Sequence, residues 1–174
     1  MLEKRNFIIS KDKSYVKGFT RKGEAFLFST SDYDIVKRYT WYISKRGYVT
    51  TNVKRIATPM HKIILDNTDG FDVDHISGDK LDNRRSNLRI CTHQENMFNQ
   101  RLRSNNTSGF IGVSLMKNVG RYEAYIHYNS KKHHLGLYDN PVDAAIARDR
   151  AAKKYYGEFA SLNFPEESDV YAIL

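Results

Sequence analysis

The stretch from Phe71 to Arg101 constrains the fold of this chain most, because it predicts four successive elements and their order. Residues 71–76 alternate like a short strand, residues 77–83 are turn formers, and NLRIC predicts a second strand. Thr92 and Glu95 form a capping box at the start of HQENMFNQR, which predicts a helix. Strand, loop, strand and helix make a compact unit that directs the Asp74–His75 end of the first strand toward the start of the helix.

The side chains of this unit suit chemistry on a phosphate. Phosphodiester hydrolysis needs an activated water, a cation on the phosphate oxygens and a fixed geometry. A histidine with a pKa of about 6.5 can take a proton from water, a carboxylate is a hard ligand for magnesium, and an asparagine carbonyl can be a second oxygen ligand. Strict alternation sends Asp74 and His75 to opposite faces of a strand, so this interpretation needs a strand end or a distorted backbone there. The alternative is a polar turn beside an exposed strand end, with no chemistry.

Three spaced motifs in this region resemble the HNH endonuclease family, whose fold is named ββα-metal. They are the pair Asp74–His75, the sequence SNLR around Asn87, and HQEN ending in Asn96, within roughly residues 60–100. The resemblance implies that His75 is the general base, that Asp74 and Asn96 hold one divalent metal, Mg²⁺ or Mn²⁺, and that Asn87 ties the loop in place. Asn96 stands where the founding pattern has a histidine, as in the phage-encoded homing endonucleases of this family.

The charge of the chain favours a polyanionic partner, and double-stranded DNA is the one we expect. The net charge is +8, and residues 1–103 hold 20 Lys and Arg against 12 Asp and Glu. Next to the predicted site, Arg84, Arg85 and Arg89 suit phosphate contacts, since a guanidinium matches phosphate geometry.

Composition also excludes several classes of protein. Cys91 is the only cysteine, which excludes an intrachain disulfide and a zinc site built from several cysteines. No apolar run approaches the roughly 20 residues that span a bilayer, and the start MLEKRNFIISKDK is charged rather than signal-like. We therefore expect no membrane partner and a location in the cytoplasm of a bacterial or phage-infected cell.

The remainder of the first half predicts short strands and helices. Ser31 can cap a helix over DYDIVKRY, and TWYISKRGYVTTNV resembles a hairpin that turns at Arg46–Gly47. MHKIILD predicts one or two helical turns. Its His61 is more typical of a packing histidine than of a ligand.

The second half predicts three extended segments and one helix. In the middle segment Arg121, Glu123, Tyr125 and His127 share one face, and after it Asp139 or Asn140 can cap a helix that ends at Gly157. The sequences GRYEAYI, LGLYD, DAAIARDRAA and LNFP resemble the APETALA or ethylene-response-factor DNA-binding domain, over about residues 108–165. The resemblance implies that the sheet contacts DNA, although Val119, Tyr122 and His134 stand at that family's tryptophan positions and Ser114 replaces an arginine. The candidate contacts on this sheet are Lys117, Arg121, Tyr125, Lys131, Lys132 and His134.

Together these patterns predict an α+β protein of two domains. Residues 1–103 would hold N-terminal strands and the ββα-metal nuclease domain, and residues 104–174 a three-stranded antiparallel sheet packed on one helix, after a short linker at 101–109. The predicted function is a metal-dependent, sequence-directed DNA endonuclease of the phage or intron-associated homing type. The alternative is a DNA-binding regulator that keeps the HNH shape without turnover. No obligate protein partner is evident, and either a monomer or a homodimer is compatible with the sequence.

Overall fold

A computed structural model describes residues 7–66, 69–99, 102 and 106–165. The chain divides into two compact units, Met1–Asn96 and Met97–Leu174. The predicted linker at 101–109 lies partly outside the described residues, and the predicted domain boundary after residue 103 stays a prediction. The described strands are β1 (Phe7–Ile9), β2 (Tyr15–Phe19), β3 (Ala25–Ser29), β4 (Tyr42–Ile43), β5 (Val49–Val53), β6 (Ile56–Pro59), β7 (Asp72–His75), β8 (Asp82–Asn83), β9 (Leu88–Cys91), β10 (Val113–Met116), β11 (Arg121–Tyr128) and β12 (Lys131–Tyr138). The described α-helices are α1 (Tyr33–Val36), α2 (Met60–Ile64), α3 (His93–Phe98) and α4 (Pro141–Tyr156).

The first unit contains three small sheets around one apolar core. One sheet has the order β1-β2-β3-β8, another the order β4-β5-β6, and β7 pairs with β9. The core includes Phe26, Phe28, Trp41 and Met60, each at most 3% exposed. Strand β8 runs parallel to β3 and lies inside the segment that the sequence assigned to a turn. Two polar residues carry no strand pattern, so only the tertiary pairing defines β8.

Two local predictions in this unit have different outcomes. The hairpin at Arg46–Gly47 is confirmed, since β4 and β5 are antiparallel and Gly47 adopts a φ of +82° in the turn. The helix predicted over DYDIVKRY is much shorter, because only Tyr33–Val36 is α-helical and Ser31 makes no cap. Residues from elsewhere in the fold bind both ends of this short helix. The indole N–H of Trp41 donates to the carbonyl of Val36 at 3.0 Å, and the Asp32 carboxylate is bound by a distant arginine.

The strand, strand and helix predicted from the most constraining stretch are all present as β7, β9 and α3. The capping box is also confirmed. The backbone N–H of Thr92 donates to Glu95 Oε2 at 2.7 Å, and the N–H of Glu95 donates to Thr92 Oγ1 at 3.2 Å. The local sequence therefore specifies this part of the structure well.

The second unit is the predicted three-stranded antiparallel sheet with one helix against it. The sheet order is β10-β11-β12. Ala124 and Ile126 of β11 are buried at 0% and 2% exposure, on the face opposite the one that holds Arg121, Glu123, Tyr125 and His127. Asn140 caps α4 by accepting the N–H of Asp143 at 2.9 Å. The whole chain is thus a mixed structure of small sheets and few helices, and no helix in its described part has the length and apolar character needed to cross a membrane.

One face of α4 buries an acidic side chain that organises the segment after the helix. Asp149 is 0% exposed, and its carboxylate accepts the backbone N–H groups of Asn163 and Phe164 at 2.7 and 3.0 Å. Asn163 in turn uses its side chain to accept the N–H of Ile111 at 2.7 Å. The carboxylate therefore holds the LNFP segment and the start of the sheet together.

Replacing Asp149 by alanine should lower the free energy of unfolding by about 3 kcal/mol, because buried charge-assisted hydrogen bonds lose their acceptor. Urea denaturation of the purified protein measures this change. Asp139→Ala is the matched control, since that side chain is 88% exposed and its ion pair should contribute little. Equal losses in the two variants would contradict a structural role for the buried carboxylate.

Candidate active site

The pairing of β7 with β9 sets the directions of the site residues. The register is regular, with Asp74 opposite Arg89 and His75 opposite Leu88. Asp72 and Asp74 therefore share one face of β7, and Val73 and His75 share the other. His75 is the last residue of the strand, which meets the strand-end condition, but the distorted backbone considered as the other possibility does not occur in this register.

Asp74 is buried and ion-paired. Its Oδ2 accepts both Nε and Nη2 of Arg89, at 2.9 and 2.7 Å, and the two side chains are 7% and 15% exposed. The guanidinium holds the carboxylate in one orientation. Arg89 thus lies beside the site, as the sequence predicted, with its charge directed to Asp74.

The other two predicted phosphate-binding arginines also have carboxylate partners. Arg84 forms a two-pronged pair with Asp82, at 2.8 and 2.6 Å. Arg85 donates to Asp32 at 2.8 Å and to the carbonyl of Ile64 at 2.9 Å. Both arginine side chains remain partly exposed, at 38% and 49%. Their first role in the fold is to hold the loop after β8, and their contact with DNA stays a prediction.

Asn87 holds the loop between the two strands. Its side-chain oxygen accepts the N–H of Ser77 at 2.8 Å, its amide donates to the carbonyl of Asp82 at 2.8 Å, and its own carbonyl accepts the N–H of Ile76 at 2.8 Å. These three bonds join both ends of the loop directly behind His75. The geometry suits the loop-tying role that the resemblance implied.

His75 is buried among rings. Its ring centroid lies 5.1 Å from that of His61, nearly perpendicular to it, and 5.9 Å from that of Tyr48. Burial lowers the pKa of His75, and the hydrogen bond to Asn83 and the charge of Asp74 act against that shift. The imidazole is therefore neutral at physiological pH, which is the form that can accept a proton.

His61 is a neighbour of the site whose importance the sequence did not reveal. It is 5% exposed, and within the described residues its Nδ1 has no hydrogen-bond partner. Burial, with the nearby His75 and Lys62, lowers the pKa of His61 to about 3. The sequence favoured a packing histidine at this position, and only the fold shows that it packs against His75.

The low pKa of His61 predicts acid destabilisation with a defined sign. The unfolded chain protonates this ring below its ordinary pKa of 6.5 and the folded chain only near 3, so the unfolded state binds more protons between these values. Stability is fully present above that window and falls as pH falls through it, by at most about 1.4 kcal/mol per pH unit. Urea unfolding at several pH values should show a smaller slope for His61→Phe than for wild type. Identical slopes would contradict the assignment.

A second acidic residue of this face, Asp72, was missed by the sequence reasoning. Asp72 Oδ2 lies 2.9 Å from Nδ1 of His93 and accepts the amide N–H of Asn96 at 3.1 Å. The hydrogen bond from Asn96 contributes most, and that with His93 next, to holding the pKa of Asp72 below its usual range. The alternation of Asp72 and Asp74 in DVDH was the available signal, since it places both carboxylates on one face.

The oxygen ligands that Asp74 and Asn96 can offer suit a hard divalent cation. Asn96 donates an amide N–H to Asp72, so its carbonyl oxygen is the end of the amide that could coordinate a cation. Carboxylate and amide oxygens are ligands that magnesium prefers, and this ion keeps several waters or phosphate oxygens as well. Across the described ranges no group of three or more His, Cys, Asp or Glu side chains is placed to hold a metal. A cation on Asp74 and Asn96 would thus take its other ligands from water and substrate.

The only cysteine does not contribute a nucleophile. Cys91 is buried at the end of β9, and burial, with nearby Asp74 and Asp72, raises the pKa of its thiol to about 11. The protonated thiol is unreactive at neutral pH.

The predicted DNA contacts of the second unit lie on the sheet, and several are linked through Glu123. Lys132 Nζ and His134 Nδ1 lie 2.8 and 3.1 Å from the Glu123 carboxylate, and Lys132 also lies 4.3 Å above the Tyr125 ring. Burial acts to raise the pKa of Glu123, but Lys132 and His134 together bring it below its usual range. Arg121 Nε lies 2.8 Å from Asp139, an ion-pair contact without hydrogen-bond geometry. Lys117 and Lys131 are exposed.

Comparisons with known proteins show which sequences this chain is similar to. The family described as HNH endonuclease matches residues 67–98. The chain is 31% identical over 147 residues to "Uncharacterized HNH endonuclease L560" of Acanthamoeba polyphaga mimivirus, a match that spans 82% of this chain and 76% of that protein. It is also 33% identical over 92 residues to "Protein 3.8" of Escherichia phage T7, spanning 52% of this chain and 74% of that protein.

The chain also matches plant proteins over a shorter range. It is 40% identical over 72 residues to "AP2-like ethylene-responsive transcription factor AIL7" of Arabidopsis thaliana, which is 36% of this chain and 14% of that protein. No solved structure gives a significant match.

The strand–strand–helix unit that carries Asp74, His75, Asn87 and Asn96 lies within the residues that match the HNH endonuclease family. The extended match to the mimivirus protein shows that the chain belongs to the HNH endonuclease family.

Proposed function

We propose that this protein is a metal-dependent, sequence-directed endonuclease that cleaves double-stranded DNA, of the phage or intron-associated homing type. The observation that carries the proposal is the arrangement of β7, β9 and α3. In this arrangement Asp74 shares one face of β7 with Asp72, the Asn96 amide of α3 donates to Asp72, and the strand ends in a buried His75 whose pKa is lowered. A general base and two oxygen ligands in one small unit are the parts that phosphodiester hydrolysis requires.

In the proposed ββα-metal site each residue has a separate task. His75 takes the proton from the attacking water, because its ring is neutral before the reaction. Asp74 and Asn96 hold the cation, Mg²⁺ or Mn²⁺, which when bound neutralises charge on the phosphate and the departing 3′ oxygen. Arg89 orients the Asp74 carboxylate, Asp72 orients the Asn96 amide, and Asn87 fixes the loop behind His75.

Residues near the site can also hold the DNA backbone. Arg84 and Arg85 keep roughly two fifths and half of their side-chain surface exposed while paired with Asp82 and Asp32. A guanidinium has five donors, so it can contact a phosphate with those that its carboxylate partner does not use. The excess of positive charge in residues 1–103 supports the same role.

We propose that residues 104–174 select and grip DNA through the sheet β10-β11-β12, in the manner of an APETALA-type domain. The resemblance to the plant transcription factors supports this. Arg121 would contact base edges, and the lysines would contact phosphates. The target sequence is specific to this chain, since Val119, Tyr122 and His134 replace tryptophans of that family.

Incubation of supercoiled plasmid carrying candidate target sites, with magnesium and with chelator, tests the proposed activity. Conversion to open circles only with magnesium supports a nickase, which is the product expected from one active site per chain. Linear product would indicate paired active sites in a homodimer. Salt-sensitive binding to a target site found by DNA selection, without cleavage under any divalent metal, would overturn the nuclease and favour the DNA-binding regulator.

A further inference from the structure

Asn83 is a buried polar side chain behind the proposed general base. It is 0% exposed and belongs to β8, which pairs with β3 in the core, where Asn83 lies opposite Phe28. A buried amide is costly unless both of its ends are hydrogen-bonded. Its partners therefore indicate why an asparagine occupies this position.

The two ends of the Asn83 amide are distinguishable by their partners. The nitrogen donates to the backbone carbonyl of Lys80 at 3.3 Å, and a carbonyl can only accept. The side-chain oxygen is consequently the atom that lies 3.4 Å from Nε2 of His75. Because that oxygen also can only accept, Nε2 must be the nitrogen that carries the hydrogen.

The orientation of the His75 ring is also restricted by neighbouring rings. His61 packs edge-on against it, and Tyr48 contacts both rings, with centroid separations of 5.1, 5.3 and 5.9 Å among the three. Lys80, whose carbonyl orients Asn83, places its Nζ 4.3 Å from the centre of the Tyr48 ring. An imidazole rotated by 180° about its Cβ–Cγ bond would lose the hydrogen bond to Asn83. It would still pack against the rings of His61 and Tyr48.

We propose that Asn83 is the positioning residue of the general base, and that its side-chain oxygen selects the His75 tautomer protonated on Nε2. The proposal rests on the nuclease function proposed above. The reactive lone pair then lies on Nδ1, and this nitrogen accepts the proton from water during cleavage. Asn83 touches neither substrate nor metal in this role. It acts through the ring that it holds.

Two variants of Asn83 separate this role from simple packing. Asn83→Leu keeps a similar volume and removes the acceptor, whereas Asn83→Asp keeps an acceptor oxygen toward Nε2. We expect the single-turnover cleavage rate of Asn83→Leu to fall about 10²-fold, the scale of a misplaced catalytic group. Its DNA affinity should stay within about twofold, since Asn83 lies inside the protein. The rate of Asn83→Asp should recover most of the loss.

Nitrogen-15 NMR of the imidazole rings reads the tautomer directly and needs neither metal nor DNA. The spectra are recorded at mildly alkaline pH, where the ring is neutral, and the His75 signals are assigned by their absence in His75→Gln. Wild type and Asn83→Asp should show hydrogen on Nε2, and Asn83→Leu a mixture of both tautomers.

Hydrogen on Nδ1 in the wild-type protein would overturn the proposal, as would a folded Asn83→Leu that cleaves at the wild-type rate. If Asn83→Leu fails to fold, the tautomer of the wild-type protein and the tautomer and cleavage rate of Asn83→Asp still decide. If wild type cleaves no DNA, the proposed function fails by itself, and the NMR result still decides whether Asn83 sets the tautomer.

Discussion

Replacing His75 by alanine is expected to lower the rate of DNA cleavage by about 10² to 10⁴-fold, the usual contribution of a general base. DNA affinity should be nearly unchanged, because the ring is 4% exposed and offers little surface to DNA. The two effects separate chemistry from binding. The measurement is a single-turnover nicking assay on supercoiled DNA with saturating protein, beside a gel-shift titration of the same variant.

Two controls keep this result interpretable. His133→Ala removes an exposed histidine outside the predicted DNA contacts and should cleave at the wild-type rate. Thermal unfolding of His75→Ala reports whether loss of the ring has disturbed the buried cluster with His61 and Tyr48. Parallel losses of cleavage and binding, with a lowered melting temperature, would show that the substitution broke the fold rather than the chemistry.

Replacing Asp74 by asparagine should raise the magnesium concentration needed for half-maximal cleavage by at least about 10- to 100-fold, the range found when even an outer partner of a metal site is lost. The substitution keeps the size of the side chain and one oxygen, but removes the negative charge that a hard cation requires. It also leaves Arg89, which is 15% exposed, without its ionised partner. Some loss of thermodynamic stability should therefore accompany the weaker binding of magnesium.

Magnesium titration of the cleavage rate for wild type and Asp74→Asn measures this effect. Asp34→Asn is the matched control, since Asp34 is exposed and paired only at the surface with Lys37. Excess magnesium should restore part of the activity of Asp74→Asn. A rate that is low at every magnesium concentration, with an unchanged half-maximal value, would mean that Asp74 does not hold the metal.

Local sequence patterns predicted the elements of this protein well where side chains act on their neighbours in the chain. The capping box of Thr92 and Glu95 and the Asn140 cap form as expected, because each uses bonds across three residues. The alternation in β11 likewise buries Ala124 and Ile126. The predicted length of the helix after Ser31 was wrong because a distant residue acts there. Asp32 is bound by Arg85, which is 53 residues away.

In the candidate site, too, the sequence predicted some features and the tertiary structure supplied the others. Motif spacing selected Asp74, His75, Asn87 and Asn96, but it gave no partner for any of them. The roles proposed for Asp72, Asn83 and His61 depend on contacts across 24, 8 and 14 positions, which no local pattern encodes. The carboxylate partners of Arg84, Arg85 and Arg89 were also not predicted.

The sequence by itself determined the strand–strand–helix unit, the second sheet with its helix, and the family to which the chain belongs. These follow from residue periodicity, capping and motif spacing, which are short-range properties of the chain. Only the tertiary structure decided that Asp74 is clamped by Arg89, that His75 is enclosed by His61 and Tyr48, and that Asn83 faces its Nε2. Hydrogen bonds and ring contacts depend on distances of a few ångströms between residues far apart in sequence, and folding alone fixes those distances.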